Sequence, residues 1–391
     1  MIPRAILPAL EKELTTKEVV VLTGMRQTGK TTVLQYLFDR TSSSNKAFID
    51  LENPLNRKIF EENDYNNIWR HLQPLGISEK KEAHLFLDEI QHVKQLPSVV
   101  KYIYDHWGVK CFLTGSSSFY LKNLFSESLS SRKIVYELFP LTFAEFLTFK
   151  GEVSDFPISF AQKAAQKNEI AYERLIRLYD EYVRYGGFPA VVLEPNQARK
   201  FKLLEQVFTS YFEIDVTTLA DVRETTKLRD LILLLVARVG SKVDVTKLSS
   251  ELGVTRETLY NYLTFLERTY MIALLPQYSQ SPDRQAAGAK KLFFSDSGLA
   301  SYLGRLSDGQ LLEQSVFQTL RPFNTLSYYQ RKGREIDFVV NSEAALEVKR
   351  TVSTRDISML KRLAKSLRLE KSYVVTYTYS NFTETIPVMF L

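Results

Sequence analysis

The chain has 391 residues, enough for two or three domains and more than one core. Apolar residues make up 45% and charged residues 25%, with 15 glycines and 13 prolines, which excludes a collagen-like or low-complexity chain. The net charge of +6 permits nucleic acid as a partner without requiring it, and the single cysteine, Cys111, excludes an intramolecular disulfide and fits a reducing cytoplasm. The N-terminus, MIPRAILPALEKEL, becomes charged too early for a signal peptide. The densest apolar run, Leu231 to Val239, contains Arg238 and is far shorter than the ~20 residues that span a bilayer. The expectation is a cytoplasmic protein with no membrane partner.

Residues 18–23, EVVVLT, read as a buried parallel strand. GMRQTGKTT follows, and then VLQYLFDR with helical spacing. Strand, glycine-rich loop and helix together form a G-x-x-x-x-G-K-[ST] phosphate loop. Its nucleotide-binding residues are Gly24, Met25, Arg26, Gln27, Thr28, Gly29, Lys30, Thr31 and Thr32. The glycines let backbone N–H groups close around phosphate oxygens, and the helix N-terminus adds partial positive charge. Lys30 reaches the β- and γ-phosphates of ATP, and Thr31 offers its hydroxyl to Mg²⁺.

A second strand is predicted at Lys46 to Leu51 and a third at His84 to Asp88, within HLFLDEIQ. An apolar strand ending in two carboxylates, some 60 residues after a phosphate loop, is the Walker B arrangement. Asp88 then belongs to the Mg²⁺ shell, and Glu89 orients and deprotonates the attacking water. A fourth strand runs from Lys110 to Thr114; Thr114 or Ser116 either senses the γ-phosphate or belongs to a serine-rich loop that caps the next helix. A fifth strand, Lys133 to Leu138, follows Arg132, which is either a finger acting in a neighbouring subunit or a surface charge. Five strands alternating with helices predict a parallel sheet covered on both faces, with ligand at the carboxyl ends of the strands.

Helices over 171–184 and 196–214 flank YGGFP, Tyr185 to Pro189, and form a helical lid; Gly186-Gly187 ends the first helix and Pro189 blocks its continuation. Beyond them, 224–239 is an apolar helix, a short helix ends at Gly253, and Thr255 caps a longer one. With strands at Met271 to Tyr278 and Lys290 to Phe294, this segment looks like a winged helix. Its second helix begins with Arg256, Glu257, Tyr260 and Asn261, a polar set suited either to a DNA groove or to a partner domain.

From residue 310 the pattern is helix 310–321, strands 325–330, 334–340 and 344–349, helix 356–369 and strand 372–377. This α-β-β-β-α-β order is the core of the PD-(D/E)xK nuclease superfamily. Glu347 and Lys349 share one strand face, and Asp337 on the hairpin partner can point the same way. Asp337, Glu347 and the helical Glu313 are the candidate metal ligands, with Lys349 as the catalytic lysine. E-x-K is common on exposed strands, so the element order carries more of this reading than the spacing does. Arg350 to Lys371 is rich in basic residues, suiting either a phosphate backbone or a solvated helix.

IPR at Ile2 to Arg4, GMRQTGKTT, LDEIQ, LTGSSS, ELFPLTFAEF, YGGFP, FSDSGLASYL, EIDFVV and LEVKR together resemble a bacterial and archaeal family of AAA-type ATPases with a C-terminal region long of unknown function. Met25 departs from the proline usual there, and Ser131 from the glycine usual before the arginine. YGGFP is also similar to the lid motif of signal-transduction ATPases, which implies that Pro189 touches the adenine. The resemblance implies a homo-oligomer, such as a ring or hexamer.

The expected fold is α/β multidomain. A P-loop parallel-sheet ATPase core spans 1–150, a helical lid 151–222, a winged-helix domain 223–290 and a restriction-endonuclease-like α/β domain 291–391. The expected function is Mg²⁺-dependent ATP hydrolysis coupled to DNA binding or remodelling. The alternatives are a signal-transduction-type regulatory ATPase whose C-terminal domain binds a protein, and an ATP-gated, metal-dependent DNA nuclease.

Overall fold

The computed structural model describes residues 1–78, 82–115, 132–152, 156–216, 225–281, 283, 285 and 288–391. Two compact units account for the chain. The first comprises Met1–Phe139, Ser210–Ala220 and Arg268–Tyr270; the second comprises Pro140–Thr209, Asp221–Glu267 and Met271–Leu391.

The first unit is built on five strands, β1 (Val19–Thr23), β2 (Lys46–Asp50), β3 (His84–Asp88), β4 (Lys110–Gly115) and β5 (Lys133–Glu137), in the order β2-β3-β4-β1-β5. All four pairings are parallel. The period-2 alternation of side chains divides the core in two. Val19, Val21, Ile49, Leu85, Leu87 and Leu113 face one side, against Phe60, Ile68, Leu72 and the helix Leu96–Trp107. Val20, Leu22, Phe86 and Phe112 face the other, against Leu7, Leu10 and the helix Lys30–Arg40. Because both faces are covered, β1 and β3 are buried along their whole length, which is why they read as unbroken apolar runs.

The first unit ends at Phe139, short of the expected 150. The reason is local to the second unit. Leu141 N–H donates to the Gly187 carbonyl at 2.7 Å, the Tyr182 hydroxyl donates to the Leu141 carbonyl at 3.0 Å, and Phe143 packs edge-on against Tyr179. The helix Phe143–Phe149, opened by a Thr142–Glu145 capping box, therefore belongs with the helix Glu169–Tyr185. The expected second lid helix runs as an α-helix only over Gln197–Ser210; Tyr211–Val216 is a π-helical turn grouped with the first unit.

The second unit also contains helices Thr225–Val236, Val245–Leu252 and Arg256–Arg268, then an antiparallel pair, β6 (Ile272–Leu275) and β7 (Lys291–Phe294). β6 is shorter than expected because the chain at Gln277 turns away to bridge Tyr328. A five-stranded sheet follows, in the order β12-β11-β10-β9-β8. Its strands are β8 (Leu326–Arg331), β9 (Arg334–Val340), β10 (Ala344–Lys349), β11 (Lys371–Thr376) and β12 (Thr385–Pro387). β9 is antiparallel to both of its neighbours, β8 and β10, while β10, β11 and β12 run parallel. The helix Thr354–Ser366 covers one face through Ile357, Leu360 and Leu363, and on the other face Phe293 lies between Phe317 and Phe338. Among the described residues no helix is long and apolar enough to cross a membrane.

Candidate functional site

The phosphate loop leaves the carboxyl end of β1 through a backbone that only particular residues accept. Gly24 has φ +153°, and a Cβ there would lie 2.2 Å from the Leu138 carbonyl oxygen. Gly29 has φ +96° and precedes the first residue of the helix Lys30–Arg40. Gln27 takes φ +62° without being glycine. The loop is braced from inside, where the Thr28 hydroxyl donates to the Met25 carbonyl at 2.9 Å. Arg4, itself buried, donates to the Thr28 carbonyl at 2.9 Å and to the Phe139 carbonyl at 2.8 Å. This gives the IPR stretch a physical role, tying the chain's start to the loop.

Lys30 is buried, and its ammonium donates to the Gly24 and Met25 carbonyls at 3.1 and 2.9 Å. Burial lowers its pKa, opposed by Glu89 and Asp215. Met25, with no side-chain polarity, contributes only backbone to this cradle. Thr31 and Thr32 open the helix. β4 lies between β1 and β3, so Thr114 is set between the loop and the acidic pair. The Thr114 hydroxyl donates to Asp88 Oδ1, and the Thr31 hydroxyl also bonds the Asp88 carboxylate. Burial raises the Asp88 pKa, and these two hydroxyls oppose the rise. Asp88 and Thr31 thus face each other with oxygen donors in contact, the donor chemistry that a hard divalent cation takes. Glu89 adopts a left-handed conformation, φ 53° and ψ 48°, which costs of order 1 kcal/mol or more outside glycine. Its carboxylate accepts from the Gln91 side chain.

Two members of this site were missed in the sequence. Gln91 sits two residues past Glu89 in the turn Ile90–His92, so its spacing was visible although its function was not. Asp215 is buried and accepts from Arg26 Nε at 3.1 Å. No local pattern announces it, because the partners are 189 residues apart.

Arg132 stands at the amino end of β5, where its carbonyl accepts from Val19 N–H and its guanidinium pairs with Asp105 at 2.8 Å. The phosphate loop leaves the opposite end of the sheet. Ser116 lies outside the described residues. Pro189 belongs to the second unit, where it starts the helix Pro189–Leu193.

The carboxylates foreseen in the C-terminal sheet do gather around one cavity of about 700 Å³. The register Leu346↔Phe338 sets Glu347 beside Asp337, and Asp337 Oδ2 accepts from Val348 N–H at 2.8 Å. Lys349 Nζ lies 2.8 Å from Glu347 Oε1. Glu313 reaches the same cavity from the helix Asp308–Leu320. Burial raises the pKa of all three acids. Two further residues complete the cluster: Lys291, at the start of β7, and Glu335, on β9.

Residues 16–147 match the AAA domain model. This part of the chain is similar to AAA domains, and its phosphate-loop motif, GMRQTGKTT, lies within the match. Residues 176–310 and 308–390 match two domains of unknown function, DUF8612 and DUF4143. The uncharacterized protein MJ1544 of Methanocaldococcus jannaschii is 28% identical over 392 residues, covering 95% of this chain and 84% of that protein. An uncharacterized protein of Haemophilus influenzae is 26% identical over 336 residues, covering 82% and 79%. Among solved structures, the Walker-type ATPase PABY2304 of Pyrococcus abyssi is similar with a TM-score of 0.47 at 15% identity, covering 78% of this chain and 96% of that one.

Proposed function

We propose that the AAA domain hydrolyses ATP with Mg²⁺ and that hydrolysis is coupled to DNA through the second unit. The convergence of Lys30, Thr31, Asp88, Glu89 and Thr114 at the carboxyl ends of three neighbouring strands carries this reading. Lys30 exchanges its two carbonyl partners for the β- and γ-phosphates of ATP. Thr31 and Asp88 hold Mg²⁺, which when bound neutralises phosphate charge. Glu89, held by Gln91, accepts the proton of the attacking water. Thr114, bonded to Asp88, lies where a polar group can register the γ-phosphate.

The DNA part rests on the second unit. Helices Val245–Leu252 and Arg256–Arg268 followed by the β6–β7 pair have the layout of a winged helix, and Arg256, Glu257, Tyr260 and Asn261 on its second helix are exposed. Arg355, Arg362 and Lys365 are exposed on the helix Thr354–Ser366, a surface suited to a phosphate backbone. The nuclease alternative draws less support, because a lysine ammonium lies among the carboxylates that a metal would need.

The deciding experiment is ATP turnover by the wild type and Glu89→Gln, with and without single-stranded, duplex and branched DNA, at ~50 mM salt where phosphate contacts are strongest. We expect one DNA form to raise turnover, and Glu89→Gln to lower it at least ~100-fold while nucleotide still binds. Turnover indifferent to every DNA form would refute the coupling and leave a regulatory ATPase with a protein partner.

A further inference from the structure

The cavity in the C-terminal sheet has the residue types of a metal-dependent hydrolytic centre, but its carboxylates are already engaged. Lys291 Nζ lies 3.1 Å from Glu313 Oε1, 2.5 Å from Glu335 Oε1 and 3.7 Å from Asp337 Oδ1. An ammonium has three donors, and this one has three carboxylates around it. The Lys291 side chain is 4% exposed, so an uncompensated charge there would be very costly. Burial works against its ammonium, yet Glu313, Asp337 and Glu335 outweigh burial and hold its pKa above the ordinary lysine value. The backbone is shaped for the same contact. Gly240 has φ +73°, and a Cβ there would lie 2.8 Å from Glu313 Oε2, so glycine leaves room for the carboxylate that meets Lys291.

A divalent ion of the Mg²⁺ or Ca²⁺ type needs oxygen ligands converging at ~2.0–2.6 Å around one point. Among the described residues no group of three or more His, Cys, Asp or Glu is arranged to hold a metal ion. The donor set therefore does not fit the metal that a nuclease reading implies.

We infer that Lys291 is the resident cation of this cavity, its ammonium standing in place of a divalent metal, so that the wild-type site is metal-free. The lysine comes from β7, outside the helix Asp308–Leu320 and the strands β9 and β10 that supply the acids. Removing its charge leaves Glu313, Glu335, Asp337 and Glu347 around one space, and a divalent cation then becomes the natural counter-charge.

The test uses full-length, nucleotide-free protein and Mn²⁺ as the probe, with bound Mn²⁺ counted by electron paramagnetic resonance and melting followed in parallel. Wild type and Asp337→Asn should bind the same number of Mn²⁺ ions with the same affinity. Lys291→Met, close in length and uncharged, should gain one site at least tenfold tighter than any that Lys291→Arg shows. That site should vanish in the Lys291→Met, Asp337→Asn double variant, and Mn²⁺ should raise the melting temperature of Lys291→Met selectively. A wild-type Mn²⁺ site that disappears in Asp337→Asn overturns the inference, as does a folded Lys291→Met that gains none. If Lys291→Met does not fold, the wild type, Asp337→Asn and Lys291→Arg decide the matter: equal Mn²⁺ binding by all three supports the resident cation, and a site lost only in Asp337→Asn refutes it.

Discussion

Asp296 joins three parts of the second unit, and its charge state gives a sharp test of that joint. It is fully buried, and its hydrogen-bond partners donate to it. Gly187 N–H and Gln318 Nε2 reach Oδ2 at 2.7 and 3.1 Å, and Leu299 N–H reaches Oδ1 at 2.9 Å. The contact with Gly187 fixes YGGFP, and a Cβ on Gly186 would lie 2.0 Å from Asp296 Oδ1. Burial pushes the Asp296 pKa from 3.8 up to about 6, against the pull of those donors. A carboxyl whose folded pKa is raised contributes stability below the unfolded pKa, and loses it as pH climbs through the folded one. At 1.36 kcal/mol per unit, the whole contribution is about 3 kcal/mol; part of it is already lost at pH 4, and about 2 kcal/mol is lost between pH 4 and pH 7.

Asp296→Asn removes this titration while replacing an acceptor by a donor that faces Gly187 or Gln318, a pH-independent cost of about 1–3 kcal/mol. The variant should therefore be less stable than wild type at pH 4, and the gap should shift in its favour by about 2 kcal/mol by pH 7. Urea denaturation across this range, read by far-UV circular dichroism and by hydrogen exchange over residues 185–190, measures the difference. Tryptophan fluorescence would not, because Trp69 and Trp107 both lie in the first unit. Denaturation curves for the two proteins that stay parallel from pH 4 to 7 would refute the argument.

Gly24→Ala sets a Cβ 2.2 Å from a backbone oxygen, which cannot give way without moving Leu138. It should abolish ATP binding in equilibrium dialysis and lower stability by more than about 1 kcal/mol; wild-type affinity would contradict the loop geometry. Thr114→Val removes a hydroxyl that bonds Asp88, and should slow phosphate release about 10- to 100-fold with nucleotide affinity little changed. An unchanged rate would remove Thr114 from the site. Arg132→Ala breaks a partly exposed ion pair at the far end of the sheet, worth up to about 1 kcal/mol. Turnover by the variant should stay within about twofold of wild type, and a larger loss would place Arg132 in a neighbouring subunit's site.

The phosphate loop, the acidic strand end and the five strands were legible because each is written locally. Glycines at Gly24 and Gly29 punctuate a β-branched run, and buried parallel strands show as unbroken apolar stretches. The C-terminal order of helices and strands was legible for the same reason, down to Asp337 beside Glu347. The boundary at Phe139 was not, because it is set by Leu141 bonding Gly187 and Tyr182, some forty residues away in sequence.

The sequence by itself determined the identity of the phosphate-binding elements and the pairing of acids on one sheet face, since both follow from spacing along a strand or loop. Tertiary structure alone decided what stands opposite them. Asp215 meets Arg26 across 189 residues, and Lys291 enters the carboxylate cavity from a strand that precedes the acidic sheet. Charge balance in a buried site depends on every group within a few ångströms, whatever its position in the chain, and no periodicity records that.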